Sequence, residues 1–131
     1  MIELKLIDKS YGNQKILDKI SLNIKKGEFI SIVGPSGAGK TTLLNIIGTI
    51  EDFDKSQKSK FLINSQDITK LSDKNLSKFR NDNIGFVFQF HQLLPELTVE
   101  ENILLPTMIK GDDKDSSDKY FIELITILGI D

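Results

Sequence analysis

Residues Gly34 to Thr41 read Gly-Pro-Ser-Gly-Ala-Gly-Lys-Thr. This stretch meets the phosphate-loop pattern G-x-x-x-x-G-K-[ST] at every fixed position. The spacing encodes a device. Gly34, Gly37 and Gly39 let the backbone around Pro35, Ser36 and Ala38 curl, so that successive N–H groups point inward. They make an anion cradle at the N-terminus of the helix that follows. Lys40 reaches the β- and γ-phosphates from there, and the Thr41 hydroxyl is placed to bind Mg²⁺.

The flanks fit the same device. Phe29-Ile30-Ser31-Ile32-Val33 is a short apolar, β-branched run of the kind found in interior parallel strands. Thr42-Leu43-Leu44-Asn45-Ile46-Ile47-Gly48 carries apolar residues around most of a helix circumference and is expected to be buried, with Gly48 as its stop. Strand, loop and helix in that order are the context a phosphate loop requires.

Further out, Ile2, Leu4 and Leu6 alternate with Glu3, Lys5 and Ile7, predicting a strand with one solvated face. Ser10 to Asn13 carry turn chemistry. Ile20, Leu22 and Ile24 mark a second strand. Residues 51–60 are polar and charged and read as an exposed loop, followed by a short strand at Phe61-Leu62-Ile63. Ser72 is an N-cap for a helix that continues through Leu76 and Phe79 and ends near Asn83. Ile84 to Phe88 is another apolar strand, ending at Gln89. Thr98 and Glu101 form a capping box for a helix that Pro106 is expected to kink or end. Gly111 to Ser117 reads as a charged linker. Tyr120, Phe121, Leu124, Ile125 and Leu128 share a final helical face, closed by Gly129.

Composition narrows the classes. The chain has 131 residues, 39% hydrophobic, with 17 basic against 19 acidic side chains. No basic excess points to nucleic acid or an anionic membrane surface. There are no cysteines, which removes disulfides and thiolate metal sites. The N-terminus lacks the pattern of a secretory signal. No apolar run approaches the ~20 residues that span a bilayer. Any membrane role is expected to come through a partner.

A phosphate loop alone leaves many families open, and three segments narrow the choice. Ser10-Tyr11-Gly12, the loop itself, and Phe86-Val87-Phe88-Gln89 stand in the order and approximate spacing of an ABC-transporter ATP-binding domain, which this chain resembles over its whole length. The run from Ile84 to Pro95, followed by Leu97-Thr98-Val99-Glu100-Glu101-Asn102, looks like the branch that powers lipoprotein release. Relatives of that branch drive peptide or macrolide export.

The resemblance implies an α/β fold of the phosphate-loop NTPase type. It would have an N-terminal antiparallel β subdomain and nucleotide core over residues 1–89 and the start of a helical subdomain over 90–131. It implies ATP and Mg²⁺ as ligands. The binding residues would be Tyr11, Gly34, Pro35, Ser36, Gly37, Ala38, Gly39, Lys40, Thr41 and Thr42. Tyr11 would stack on adenine, and Lys40 and Gln89 would carry the catalytic contacts. Thr41 and Gln89 would ligate the metal, with Gln89 sensing the γ-phosphate. The Gln89–Pro95 segment would face a membrane permease subunit. His91, the sole histidine, would be a partner-facing or solvated loop residue, since the family's catalytic histidine lies further along. A second ATPase subunit would complete the site. The protein would sit in the cytoplasm, peripheral at the inner face of the membrane.

The sequence also departs from the family. The Leu-Ser-Gly-Gly-Gln signature, the strand ending in a metal-holding Asp, the Glu that polarises water and the later histidine switch are not present in these residues. The chain alone is therefore expected not to hydrolyse ATP and to be marginally stable. A non-catalytic nucleotide-binding or regulatory fragment is the alternative reading. Ser59 and Ser65 stand where turn glycines are usual. A GTPase would need an Asn-Lys-x-Asp motif, which is absent, and a small-molecule kinase leaves the Phe88-Gln89 segment unexplained.

Overall fold

The computed structural model describes residues 1–90 and 92–130. The chain divides into two compact units, Met1 to Ser77 and Lys78 onward. The first holds a four-stranded sheet in the order β2-β1-β3-β4, made of β1 (Ile2–Tyr11), β2 (Gln14–Ile24), β3 (Lys60–Ile63) and β4 (Gln66–Asp67), all paired antiparallel. It also holds α1 (Lys40–Ile47) and a 3₁₀ turn at Ile68–Lys70. Helix α2 (Asp73–Asn83) follows, then α3 (Val99–Lys110) and α4 (Lys114–Leu128).

β1 and β2 join through a two-residue turn at Gly12-Asn13, with Tyr11 opposite Gln14, so β2 starts well before the expected Ile20. The β1 alternation does not run as the residue pattern suggests. Leu4 and Ile7 are both buried, three residues apart, and Ile7 is 0% exposed rather than on the solvated face. The cause is a bulge. The β1–β2 register shifts between Leu4 and Ile7, and Leu6 and Lys19 both take positive φ, each 50°. An extra residue in one strand moves every later side chain to the other face. The displaced amides find side-chain partners. Ser21 Oγ accepts from the Leu6 N–H at 3.0 Å, and Asp8 Oδ1 accepts from the Lys19 N–H at 3.0 Å.

The core of this unit joins Leu4, Ile7 and Leu17 of the first hairpin with Ile46 of α1, Phe61 and Ile63 of β3, and Phe53. Phe53 falls inside the stretch expected to be an exposed loop. It is buried edge-to-face against Phe61, with ring centroids 6.3 Å apart, and the loop is tied down by a bridge between Asp8 and Asp54. An apolar ring flanked by charges carries no periodicity, so its burial is invisible to pattern reading. Ser59 also does work that a glycine cannot. Its hydroxyl donates to the Leu6 carbonyl beside the bulge at 3.3 Å and accepts from the Ser56 N–H at 3.0 Å. At the β3–β4 turn, Asn64 and Ser65 take φ of 48° and 67°, so Ser65 holds the left-handed conformation that the expected glycine would adopt freely.

Two expected strands are not in the sheet. Residues 29–33 and 84–88 have no ladder partner among the described residues. Phe29 is 95% exposed, and Val87 is 100% exposed. A strand is a property of at least two segments: an apolar β-branched run supplies the propensity, but only a neighbour supplies the hydrogen bonds and the cover. Helix α1 is likewise one-sided rather than buried all round, with Ile46 covered and Leu44 half-exposed.

In the second unit the capping box forms as read. The Glu101 N–H donates to Thr98 Oγ1 at 3.2 Å, and the Thr98 N–H donates to Glu101 Oε2 at 2.8 Å. Pro106 does not end α3, which runs on to Lys110 and stops at Gly111 with φ 83°. The ring removes one donor, and neighbouring side chains bind the carbonyls around it. Asn81 Nδ2 donates to the Pro106 carbonyl at 3.0 Å, and the Thr107 hydroxyl donates to the Leu104 carbonyl at 2.7 Å. The charged linker is shorter than expected, because Asp113 caps α4 by accepting from the Ser116 N–H at 2.9 Å. Asn102 holds the preceding segment. Its amide nitrogen donates to the carbonyls of Leu94, Leu97 and Thr98 at 2.9–3.2 Å, and its oxygen accepts from the Leu94 N–H at 2.8 Å. The His91 reading lies outside the described residues.

Candidate functional site

The site is built around the start of α1. Gly39 is its N-cap residue, at φ 83°. A Cβ there would lie 3.0 Å from Ile16 Cγ2 and 3.0 Å from Leu17 Cδ2, so both the left-handed backbone and the close approach to β2 require glycine. β2 thus presses the loop into place from behind. The Leu43 N–H donates to the Gly39 carbonyl at 2.9 Å, closing the first helical turn. The amides of that first turn have no intrahelical acceptor. No side chain caps them, and no acidic residue stands in the turn. Among the helix starts described, those of α3 and α4 carry both devices: a Thr98 or Asp113 side-chain cap and acidic residues in the first turn. The α1 terminus is therefore left with its positive end uncompensated.

Residues Ser36 to Thr42, with Ile16, line an open cleft of about 270 Å³. Lys40 arches across the loop. Its Nζ donates to the Gly34 carbonyl at 2.9 Å and to the Pro35 carbonyl at 2.7 Å. The Thr41 side chain is exposed at the same face. The arrangement offers N–H donors, one ammonium and one hydroxyl to a multiply charged oxyanion.

Tyr11 ends β1 in the same unit, 51% exposed. Its hydroxyl donates to Glu51 Oε1, and Lys9 Nζ lies 4.9 Å from its ring centroid. Hydrogen bonding to Glu51, and then burial, raise the Tyr11 hydroxyl above its ordinary pKa. Glu51 is held below the usual carboxylate range, first by Tyr11 and then by Lys9 and Asn45. Sequence reasoning missed Lys9 and Glu51. Glu51 meets Tyr11 across 40 residues of chain and brings Lys9 with it, and no local pattern marks such a contact.

Gln89 belongs to the second unit. It is exposed at a bend following residues 84–88, and Phe86 and Phe88 stack in that stretch with centroids 5.2 Å apart. Phe90 and Leu93 are exposed beyond it. Among the described residues, no helix is long and apolar enough to cross a membrane, and no cluster of three or more His, Cys, Asp or Glu side chains is set to hold a metal ion.

Comparison with known proteins agrees with this arrangement. The chain is 47% identical over 130 residues to the lipoprotein-releasing system ATP-binding protein LolD of Bacteroides thetaiotaomicron, an alignment covering 99% of this chain and 58% of that protein. It is 42% identical to the bacitracin export ATP-binding protein BceA of Halalkalibacterium halodurans, covering 99% of this chain and 52% of that one. Among solved structures, the dimeric post-hydrolysis state of the ATP-binding cassette MJ0796 bound to ADP and Pi superposes with a TM-score of 0.82 at 39% identity, covering 96% of this chain and 56% of that chain. The chain therefore spans somewhat more than half the length of the relatives it matches. The ABC transporter family model matches residues 17–130, so the chain belongs to the ABC transporter family.

Proposed function

We propose that this chain binds ATP through Gly34–Thr42 as part of the ATP-binding subunit of an ABC transporter. One observation carries the reading. The N-terminus of α1 has neither a side-chain cap nor an acid in its first turn, and Lys40 lies folded over the loop that precedes it. A nucleotide triphosphate supplies the charge that this end lacks. Family membership and the ADP- and Pi-bound cassette of similar fold support nucleotide as the ligand.

In this reading Lys40 leaves the Gly34 and Pro35 carbonyls for the β- and γ-phosphates, and Tyr11 stacks on the purine. Stacking is sequence-tolerant and needs only a flat π face. Mg²⁺ fits the residues present. It is held with nucleotide phosphates by few protein oxygens, and Thr41 supplies an exposed hydroxyl beside the cradle. Gln89 is the other side-chain ligand in this reading, through its amide oxygen. When bound, the ion neutralises phosphate charge and orients the terminal phosphoryl group. Gln89 senses that group, the Gln89–Pro95 segment docks a membrane permease with Phe90 and Leu93 as its exposed apolar contacts, and a second ATPase subunit pairs head to tail. The dimeric cassettes of similar fold support the pairing.

Calorimetric titration of the purified chain with ATP, with and without Mg²⁺, tests the binding. Saturable binding that Mg²⁺ strengthens, and that Lys40→Ala weakens, is the expected result. No binding, or binding indifferent to Lys40, overturns the reading. Lipoprotein release is the preferred role of the whole transporter. It rests on the LolD relatives, of which four are 44–47% identical. Replacing the ATP-binding subunit of a strain that needs lipoprotein release with this gene tests it. Rescued growth supports the role, and bacitracin resistance without rescue refutes it.

A further inference from the structure

The Glu51 carboxylate sits in a built environment just outside the phosphate loop. Its backbone is placed by the end of α1. Gly48 caps the helix at φ −76°, and the left-handed turn falls on Thr49, at φ 59°. The chain then folds back, with the Ile50 and Glu51 N–H groups donating to the Asn45 carbonyl at 2.9 and 3.3 Å. From there the carboxylate accepts from the Tyr11 hydroxyl and pairs with Lys9 Nζ at 3.0 Å. Lys9 is in turn fixed by the Asp52 carbonyl at 2.6 Å and lies against the Tyr11 ring. The ring is thereby held at its hydroxyl by Glu51 and over its π surface by an ammonium that Glu51 also holds. A half-exposed tyrosine at a strand end otherwise has free rotation about its side-chain bonds, and ordering it on ligand binding costs affinity.

We propose that Glu51 is a positioning residue that sets the Tyr11 ring, together with Lys9, in the orientation that receives the base of the bound nucleotide. This rests on the reading of Tyr11 as the stacking aromatic. Glu51 touches no phosphate in this scheme. It acts on the base half of the ligand alone, through Tyr11.

The test compares ATP with inorganic tripolyphosphate, which has the charge but no base, as probes of the whole chain and its variants. Glu51→Ala and Tyr11→Phe are each expected to weaken ATP by about fivefold, because both cut the same anchor while sparing the phosphate cradle. The double variant is expected to be no weaker than either alone. Tripolyphosphate affinity is expected to stay unchanged, and Glu51→Gln, which keeps an acceptor oxygen for the hydroxyl, should recover most of the loss. A Tyr120→Phe background leaves Tyr11 as the only tyrosine in a chain without tryptophan. Its emission is expected to brighten in Glu51→Ala, as the carboxylate that quenches it is removed. Tyr11→Ala separates the two readings. If it leaves ATP binding intact, stacking fails and positioning fails with it. If it weakens ATP while Glu51→Ala and Tyr11→Phe do not, stacking stands and the role of Glu51 is overturned. Equal loss for ATP and tripolyphosphate in Glu51→Ala also overturns it, since the residue would then act through the fold.

Discussion

Lys40 Nζ donates to the Gly34 carbonyl at 2.9 Å, so the two ends of the phosphate loop are bridged by the residue that would grip the phosphates. The same ammonium reaches the Pro35 carbonyl at 2.7 Å. Both carbonyls are exposed, and water can replace the lysine at each. Lys40→Ala is therefore expected to change folding stability by no more than about 0.5 kcal/mol. Its effect on ATP affinity is expected to be roughly tenfold or more, since a hydrogen bond to a charged group is worth about 1.5–3 kcal/mol. Thermal melting beside calorimetry separates the two. A large drop in melting temperature would show that the lysine is mainly structural.

The bulge in β1 gives a sharp contrast between neighbours. Ile7 is fully buried and Lys5 is exposed, although the simple alternation puts both on one face. Ile7→Ala is expected to cost about 2–5 kcal/mol. Lys5→Ala is expected to stay within about 0.5 kcal/mol. Urea midpoints of the two variants check this, and similar values for both would put the bulge in the wrong place.

Ser65 occupies a left-handed position, φ 67°, directly after Asn64 at φ 48°. An L side chain there costs roughly 1–2 kcal/mol that glycine avoids. Ser65→Gly creates the Asn-Gly pair that two-residue hairpins favour. The variant is expected to gain about 0.5–1 kcal/mol net of the extra unfolded-state freedom, read as a higher urea midpoint with an unchanged slope. A loss of stability would mean that the turn is not strained.

Acid should weaken the fold through named carboxylates. Asp8 is lowered chiefly by its hydrogen bond to Lys15 and then by the Lys19 N–H, Asp67 first by Thr69, Glu101 by the Thr98 N–H, and Asp113 by the Ser116 N–H. A carboxylate lowered in the folded state contributes stability above its unfolded pKa of about 4, and loses that contribution as pH falls through the lowered value. Tyr11 runs the other way. Its raised hydroxyl contributes below about pH 10 and loses that contribution as pH rises further. Melting temperature is expected to fall below about pH 4. Asp8→Asn, which keeps an oxygen for the Lys19 N–H but loses the charge, is expected to show a shallower acid fall. An identical acid limb in the variant would remove Asp8 from the account.

The residues alone decided whatever depends on type at fixed local spacing. The phosphate loop, the Thr98–Glu101 capping box and the Gly129 helix stop are each complete within a few residues, so their physics travels with the sequence. The fold class was legible for the same reason. Tertiary structure decided what depends on distant partners. The phase of β1 turns on a bulge shared with β2. The burial of Phe53 turns on Phe61. The runs at 29–33 and 84–88 have strand propensity, but propensity makes no ladder without a neighbour, and among the described residues neither has one. The anchoring of Tyr11 turns on Glu51, 40 residues away, and on a left-handed turn at Thr49 that no turn residue announces. Local chemistry specified the anion cradle, and only long-range packing specified what stands beside it.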